Sequence, residues 1–384
     1  MSIKTAVADL IRELPCLENL RRRRQIKNFT CFMLDEAEVI AAEQNDEQKH
    51  KLVQRQKQNY PANMRHITPL VKKVIAQLGL DYDKESELIC DMEFCFFAYG
   101  FSPYEYLCYG LKDKDYKGRR SFMSENESAI LGFTLNSMNS IMLLSNKYES
   151  YKILAPFYKR QILQIDDACS FEDFNNFIEA HPVFVKKVVD ESCGRGVELI
   201  DTDTLDSDRH DLYEKYKSLA TGVILEELVE QVEPMSRFNQ SSVNTLRCMT
   251  YKHGDKVDVP FCFMKVGRAG SFVDNGGAGG ILVGIDNATG TLVGDGIDEL
   301  ATTYSEHPDS HMVFNGFVLP EFEQMKALCC EAALCVPGAS WIGWDVAYGK
   351  DGWLIIEGNA LPEVIGPQST SGQGMRDELL SYSK

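Results

Sequence analysis

Two apolar runs within residues 341–359 constrain the fold more than any other feature of this sequence. They flank the tripeptide Lys350-Asp351-Gly352, and apolar runs on both sides of a short polar segment with glycine are typical of a β-hairpin. A three-residue loop with glycine in the left-handed position would join the strands, with Tyr348 facing Leu354. The sequence therefore predicts an antiparallel hairpin of fixed register in this part of the chain.

Three oxygen-bearing side chains fall on one face of the predicted hairpin. Asp345 lies directly opposite Glu357, and Asn359 shares their face because side chains alternate with a period of two along a strand. Like charges that face each other across a ladder are destabilising. Oxygen ligands suit Mg²⁺, which binds proteins through one or two carboxylates together with substrate phosphates. The hairpin thus predicts a Mg²⁺–nucleotide site, and a solvated acidic face is the alternative.

The composition limits the class of protein. A length of 384 residues suffices for roughly two or three packed units, and the net charge of −17 argues against non-specific nucleic-acid binding, which needs a basic surface. Twelve cysteines without a CxxC pair fit neither a zinc framework nor a small disulfide scaffold. We expect free thiols and a cytoplasmic protein, because neither a secretory leader pattern nor an apolar run of 18 residues occurs.

The periodicity of the apolar residues changes near residue 105. Before that point it is helical, with amphipathic segments at 2–24 and 67–78. Beyond it, β-rich runs are interleaved with helix patterns, and antiparallel pairing dominates, so the sequence predicts an α+β fold. The expected strands before the hairpin are 183–189, 197–201, 222–230, 244–252 and 257–267.

A glycine-rich segment, Ser192–Gly196, lies between two expected strands. A Walker loop or a Rossmann turn leads from a strand into a helix, so neither motif is present. A glycine-rich hairpin tip still presents backbone N–H groups to phosphates. Lys186 and Lys187 precede this tip and point to opposite faces of their strand, so only one of them faces the core and requires an anion there.

Two arginines are the remaining candidates for anion binding. Arg247 lies on an expected strand between apolar neighbours, and an inward-facing arginine demands an anionic partner. Arg268 is followed by a cluster of small residues at 274–280, which permits close approach of a ligand to the backbone. No nucleophile elbow and no HExxH motif occur, so the pattern favours phosphoryl transfer by cations over covalent catalysis by a side chain.

Taken in order, these features resemble the ATP-grasp superfamily over about residues 130–370. The motifs that carry the resemblance are Val183–Lys186, Ser192–Gly196, Ile224–Val229, Asn244–Arg247, and Asp345 with Glu357-Gly358-Asn359. Within the superfamily the chain looks most like the sugar-transfer-associated group. The segments behind that likeness are Gly100–Tyr106, Asn146-Lys147-Tyr148, Asp274-Asn275, Gly279-Gly280 and Gly343–Asp345.

The resemblance implies an ATP-grasp fold, in which two α+β subdomains clamp ATP. Residues 106–230 would form the first subdomain with its glycine-rich flap, and residues 231–384 the second subdomain with the metal site. Residues 1–105 would form a separate helical domain, which departs from the α/β substrate domain of peptide-ligase relatives. The implied cofactors are ATP and Mg²⁺.

By the same resemblance, each motif residue receives a role. The implied nucleotide contacts are Lys147 and Lys186 at the phosphates and adenine region, the flap residues Ser192, Gly194 and Gly196, the adenine-lining residues Glu226, Glu227 and Val229, and Glu233 at the ribose. The implied metal ligands are Asp345, Glu357 and Asn359. Arg247 would stabilise the transferred phosphoryl group, and Arg268 would hold the acceptor carboxylate. Lys187 stands where relatives often have proline, so the choice between Lys186 and Lys187 stays open.

The function that follows is an ATP-dependent ligase that joins a carboxylate to an amine through an acyl phosphate. Glycan, amino-sugar or amino-acid precursors are the substrates that the family association suggests, and a homodimer is compatible with it. Two alternatives stay open on the same features: a kinase that phosphorylates a small-molecule hydroxyl, and a non-catalytic nucleotide-binding protein.

Overall fold

The structure is a computed structural model that describes residues 15–189, 196–204, 208–219, 222–271 and 279–384, with side chains from residue 18 onward. Helices fill the described chain up to the first strand. They are α1 (Pro15–Thr30), α2 (Glu36–Glu43), α3 (Asp46–Asn59), α4 (Pro61–Gln77), α5 (Ser86–Tyr99), α6 (Pro103–Cys108), α7 (Tyr116–Ser121), α8 (Glu125–Leu135), α9 (Met138–Ser145) and α10 (Lys147–Tyr158).

Side-chain caps explain where several of these helices begin. Asn146 accepts hydrogen bonds from the first turn of α10, and Ser124 does the same for α8. At α6, Ser102 and Glu105 form a reciprocal capping box. Helices α2 to α7 enclose an apolar core of their own, which is centred on the aromatic residues of α5.

The first sheet has four antiparallel strands in the order β1-β4-β2-β3. Its elements are β1 (Ile162–Ile165), α11 (Phe171–Ala180), β2 (Val183–Val188), β3 (Glu198–Asp201), α12 (Arg209–Lys217) and β4 (Val223–Glu227). Phe184 and Leu225 pack on α11 and α12 at one face, whereas Ile224 on the other face joins the core of the second sheet. The face that carries Ile224 is therefore the one that looks toward the second sheet.

The second sheet has eight antiparallel strands, in the order β10-β9-β8-β7-β5-β11-β12, with β6 paired to β5. Helix α13 packs against it, and α14 and α15 follow the last strand. The elements are β5 (Thr245–His253), β6 (Lys256–Asp258), β7 (Cys262–Val266), β8 (Ile281–Asp286), β9 (Thr291–Ile297), β10 (Thr303–Tyr304), α13 (Phe322–Cys335), β11 (Trp341–Gly349), β12 (Gly352–Asn359), α14 (Ile365–Ser371) and α15 (Arg376–Ser381).

The β11–β12 hairpin forms as predicted, but with a different loop. Gly349 pairs with Gly352 and Tyr348 with Trp353, so the chain turns through two residues and not three. A β-bulge then shifts the register by one residue between Asp345 and Val346, which restores the predicted pairing of Asp345 with Glu357. Gly352 has the expected left-handed φ of 81°. The predicted facing of Tyr348 and Leu354 was wrong, because the sequence does not reveal the compensating bulge.

The α+β class with antiparallel pairing is confirmed. Helices continue to Tyr158, well beyond the change of periodicity near residue 105, and the first strand begins only at Ile162. The division at residues 105 and 230 stays a prediction. All the cysteines in the described ranges are free thiols. None of the described helices combines the length and apolarity that a membrane crossing needs.

Candidate active site

An ion cluster around Asp345 lies at the centre of the second sheet. Asp345 on β11 pairs in register with Arg247 on β5 and with Glu357 on β12, so these three residues share one level of the sheet. The carboxylate accepts from Arg247 Nε at 2.5 Å and Nη2 at 3.0 Å, and from Lys265 Nζ at 3.0 Å. Two cations from neighbouring strands therefore meet on one buried carboxylate.

Electrostatics fixes the charge state of this Asp345 cluster. Burial by itself would raise the pKa of Asp345, but the charges of Arg247 and Lys265 outweigh burial and lower it to about 2. Burial by itself would lower the pKa of Arg247. The charge of Asp345, with smaller contributions from Glu363 and Glu357, outweighs burial and raises the pKa of the guanidinium. The cluster thus combines one carboxylate with two cations in a protein of net charge −17.

Glu357 and Asn359 lie beside this cluster on the edge strand β12. Asn359 Nδ2 donates to Glu357 Oε1 at 3.4 Å, and both side chains are half-buried. The predicted ligand set thus consists of a carboxylate already bound by two cations, a second carboxylate across the ladder, and an amide oxygen. Within the described ranges, the hairpin included, no three His, Cys, Asp or Glu side chains are grouped as a metal site would need.

A second ion cluster surrounds Glu226 on the first sheet. Its Oε2 accepts from Lys187 Nζ at 2.9 Å and from Arg160 Nη2 at 3.0 Å and Nε at 3.3 Å. Burial would raise the pKa of Glu226, but Lys187 and Arg160 lower it to about 2. Like the Asp345 cluster, this Glu226 cluster combines one carboxylate with two cations.

Arg160 connects the Glu226 cluster to the second sheet. Its Nη1 donates to the carbonyl of Ile355 at 2.6 Å, and its Nη2 to that of Ile356 at 3.0 Å. Successive carbonyls of a regular strand point to opposite sides, so one side chain reaches both only because the bulge lies at this point of β12. The two ion clusters consequently lie on facing sheets. Tyr158 is affected by both: burial is the main cause that raises its pKa, and the charges of Glu226 and Glu357 raise it further.

The orientation of Lys186 differs from the one that the resemblance implies. Lys186 pairs with Leu225, which faces α11 and α12, and its Nζ donates to Glu198 at 2.9 Å. Lys187 shares its face with Ile224 and Glu226 and therefore points toward the second sheet. The orientation of the two side chains favours Lys187 for the contact with ATP, and the choice between them stays a prediction.

Residues around the predicted flap are placed only in part. Ser192 and Gly194 lie outside the described residues, whereas Gly196 is in a turn with a φ of 67°. Lys147, the first residue of α10, donates from Nζ to the carbonyl of Val189 at 3.4 Å, at the end of β2. Lys147 is thus close to the base of the glycine-rich segment, and its role stays a prediction.

Three further predicted residues follow β4 along the chain. Glu227 ends β4, and its Oε2 accepts from the backbone of Gln161 at 2.9 Å. Val229 lies in the connection between β4 and Gln231, which forms a bridge to Gly349 at the hairpin. Glu233 is exposed and precedes a buried 3₁₀ turn at Met235. These positions form the connection from the first sheet to the second.

Arg268 is not part of either ion cluster. It lies beyond β7 and pairs with Asp309, with Nε and Oδ2 2.9 Å apart, next to the ring of Tyr304. The interaction with Arg268 lowers the pKa of Asp309 to about 2. The second cation on Asp345 is Lys265, and the role of Arg268 at the acceptor carboxylate stays a prediction.

Sequence reasoning missed Lys265, Arg160 and the position of Lys187. Lys265 stands between Met264 and Val266 on an apolar strand, and the argument that selected Arg247 would have selected it too. Arg160 precedes the short strand β1, and its sequence context gives no indication of a buried partner.

The sequence profile of the sugar-transfer associated ATP-grasp family matches residues 130–384. The chain belongs to this family. The match begins in α8 and includes both sheets and both ion clusters, while helices α1 to α7 lie outside it. Among curated proteins no match was found.

Several solved ATP-grasp structures are similar to this chain at low identity. The ATP-grasp ligase PsnB complexed with a minimal precursor is 15% identical over 65% of this chain and 64% of its own, with a TM-score of 0.38. D-alanine–D-alanine ligase from Bacillus anthracis is 14% identical over 70% and 75%, with a TM-score of 0.40. N5-carboxyaminoimidazole synthase from Aspergillus clavatus is 11% identical over 64% and 54%, with a TM-score of 0.38. The chain thus spans less than two thirds of some of these proteins, and their substrates are not transferred to it.

Proposed function

We propose that this protein is an ATP- and Mg²⁺-dependent ligase that joins a carboxylate to an amine through an acyl phosphate. The observation that carries the proposal is the Asp345 cluster, in which two buried cations, Arg247 and Lys265, lie together next to Glu357. Fixed cations at the point where negative charge is transferred are the principal means of catalysing phosphoryl transfer.

In the first step, a carboxylate oxygen of the substrate bonds to the γ-phosphorus of ATP. The bond from phosphorus to the β–γ bridging oxygen breaks, and ADP leaves with its electron pair. Arg247 and Lys265 neutralise charge on the transferred phosphoryl group, because both are buried where water screens them little. In the second step, the nitrogen of a neutral amine bonds to the acyl carbon, phosphate leaves with the C–O electron pair, and nitrogen releases one proton to solvent.

The oxygen donors of Glu357, Asn359 and Asp345 are the type that Mg²⁺ prefers, and two carboxylates completed by phosphate oxygens are a normal complement. When bound, Mg²⁺ would add charge neutralisation at the phosphates. On the facing sheet, Lys187 would contact the phosphates in place of Lys186, and Lys147 would lie at the flap. Glu226 to Val229 would line the adenine, and Glu233 the ribose.

Hydroxylamine trapping tests the reaction. The wild-type protein is incubated with Mg-ATP, hydroxylamine and a panel of small carboxylates, and hydroxamate and ADP are measured together. We expect both products for at least one carboxylate and, in Glu357→Gln, a turnover at least about 100-fold lower, because metal-bound charge neutralisation is lost. Glu331→Gln, on an exposed position of α13, is the matched control and should retain activity. A stable phosphorylated product without hydroxamate would indicate a kinase, and unchanged turnover in Glu357→Gln would refute the metal assignment.

A further inference from the structure

A cavity of about 310 Å³ lies between the helical part of the chain and the second sheet. Its sheet side includes Arg247 and Lys265, so it opens directly onto the Asp345 cluster. Its helical side includes Phe96 on α5 and the segment from Gly100 to Glu105. Most of this helical side lies outside the family match, which begins at residue 130. This volume is at the lower end for pockets that bind small molecules.

The sheet end of the cavity offers a cation with unused capacity. Arg247 is only 8% exposed, and it donates to Asp345 through Nε and Nη2. Within the described ranges its Nη1 makes no hydrogen bond, although a guanidinium has five donors. Because Arg247 lines the cavity, this donor can reach a ligand there. The sheet end therefore favours an anionic group such as a carboxylate.

Carboxylates line the remainder of the cavity, but they are not equivalent. Glu105 accepts backbone hydrogen bonds from Ser102 and Glu125, and Asp298 accepts from Leu300, Thr302 and Tyr304, so both have structural roles. For Glu299 and Glu363, in contrast, no side-chain hydrogen bond or ion pair is found among the described residues. Glu125, which also lines the cavity, has an interaction partner of its own. Glu299 and Glu363 are therefore the two lining carboxylates that we assign to a ligand.

Glu299 and Glu363 act on each other through space. Burial is the main cause that raises the pKa of Glu299, Lys73 on α4 lowers it, and the charges of Glu363 and Asp298 raise it, with a net upward shift. Glu363 also acts on Arg247 through space, yet no ion pair within 4.0 Å joins them in the described chain. The cavity thus has a cationic end and an anionic end with room between them. A ligand that carries an ammonium group and a carboxylate would satisfy both ends.

We propose that this cavity binds the carboxylate substrate, and that the substrate is an amino carboxylate of amino-acid or amino-sugar-acid size. Its carboxylate lies at Arg247 and Lys265, where the phosphoryl group arrives, and its ammonium group lies between Glu299 and Glu363. The inference rests on the proposed function for the identity of the reacting carboxylate, but the ammonium recognition is a separate property of the cavity. The helical part of the chain then supplies one wall of the substrate site.

Paired ligands test the charge recognition without catalysis. Alanine, glutamate and 2-amino-2-deoxygluconate are titrated calorimetrically into the full chain, each against its N-acetylated form, which keeps the carboxylate and removes the positive charge. We expect at least one amino carboxylate to bind about tenfold or more tightly than its acetylated partner. In Glu363→Gln and in Glu299→Gln this preference should fall to about threefold or less, whereas Glu331→Gln should keep it. Gln preserves shape at both positions, and thermal unfolding checks that each variant is folded.

The binding experiment and the hydroxamate assay can refute the cavity assignment and the ligase reaction separately. Preferential binding of amino carboxylates without any hydroxamate would support the cavity assignment and refute the ligase reaction. Hydroxamate formation that is equal for acetylated and free amino carboxylates would support the ligase and overturn the cavity assignment. Absence of binding by the whole panel, or a preference that survives in the Glu299→Gln/Glu363→Gln double variant, would also overturn it.

Discussion

The two ion clusters have the same composition but different attachments. Each has one buried carboxylate with a pKa of about 2 and two cations, Lys187 and Arg160 around Glu226, and Arg247 and Lys265 around Asp345. Arg160 also donates to the carbonyls of Tyr158, Ile355 and Ile356. Arg247 has its two hydrogen bonds on Asp345 alone and lines a cavity.

This difference distinguishes the two arginines: Arg160 makes a structural contact between the sheets, whereas we propose that Arg247 meets a ligand. Arg160 has its donors occupied by protein carbonyls and holds the two sheets together at the bulge of β12. Arg247 keeps a donor for an incoming anion. We therefore expect loss of Asp345 to affect stability and turnover more than loss of Glu226 does. The predictions below test this contrast, from the largest effect to the smallest.

Acid should weaken both clusters together. The pKa values of Asp345 and Glu226 are about 2 in the folded state, below their ordinary values of 3.8 and 4.5. A carboxylate whose pKa is lowered by folding stabilises the folded state. This stabilisation is fully present above the ordinary pKa and is lost as the pH falls from about 4.5 through 2. We expect the two groups to account together for about 5 kcal/mol of the free energy of unfolding lost over this range. Urea unfolding at pH 5, 4, 3 and 2 measures it, and the double variant Glu226→Gln/Asp345→Asn should lose less stability over that range. Equal losses in both proteins would contradict the assignment.

Asp345→Asn should have the largest effect of any single substitution in the two clusters. It leaves Arg247 and Lys265 buried side by side without their carboxylate, at a cost of about 3–5 kcal/mol. Urea unfolding at pH 7 measures the loss, and ADP release should fall below detection. A stability change under about 1 kcal/mol would contradict the buried ion cluster.

Glu226→Gln should cost less, about 2 kcal/mol, because Arg160 keeps its three carbonyl acceptors and the amide oxygen still accepts from Lys187. The same unfolding experiment checks it against Asp345→Asn. If Glu226→Gln proved the more destabilising of the two, the contrast between Arg160, which also binds backbone carbonyls, and Arg247, which binds Asp345 alone, would be wrong.

The two lysines of β2 provide the sharpest internal control. Lys187→Met should raise the KM for ATP about tenfold, which corresponds to about 1.4 kcal/mol, because Lys187 faces the second sheet. Lys186→Met should leave the KM within about twofold, since Lys186 faces α11 and α12 and pairs with Glu198. Steady-state ADP release at varied ATP measures both. The reverse order would restore the original assignment of Lys186.

Local pattern was sufficient for much of the fold. Strands were predicted from apolar runs and turn residues at 183–189 and 222–230, and the structure has them at Val183–Val188 and Val223–Glu227. The predicted hairpin with Asp345 opposite Glu357 is also present. The two-residue turn and the bulge were not predicted. The shorter turn shifts the register by one residue and the bulge shifts it back, so the same residues, Asp345 and Glu357, lie opposite each other with or without both changes. The family match confirmed the resemblance, while the roles of the individual site residues stay predictions.

By itself the sequence determined which residues carry charge into apolar strands, and that Lys186 and Lys187 must point to opposite faces, because the strand period is local. Only the tertiary structure decided which face meets the second sheet. It also decided that Asp345 is neutralised by Arg247, 98 residues away, and by Lys265, 80 residues away. The physical reason is that such pairings depend on strand order and sheet packing, which are set by the burial of apolar surface across the whole chain and not by neighbours in sequence.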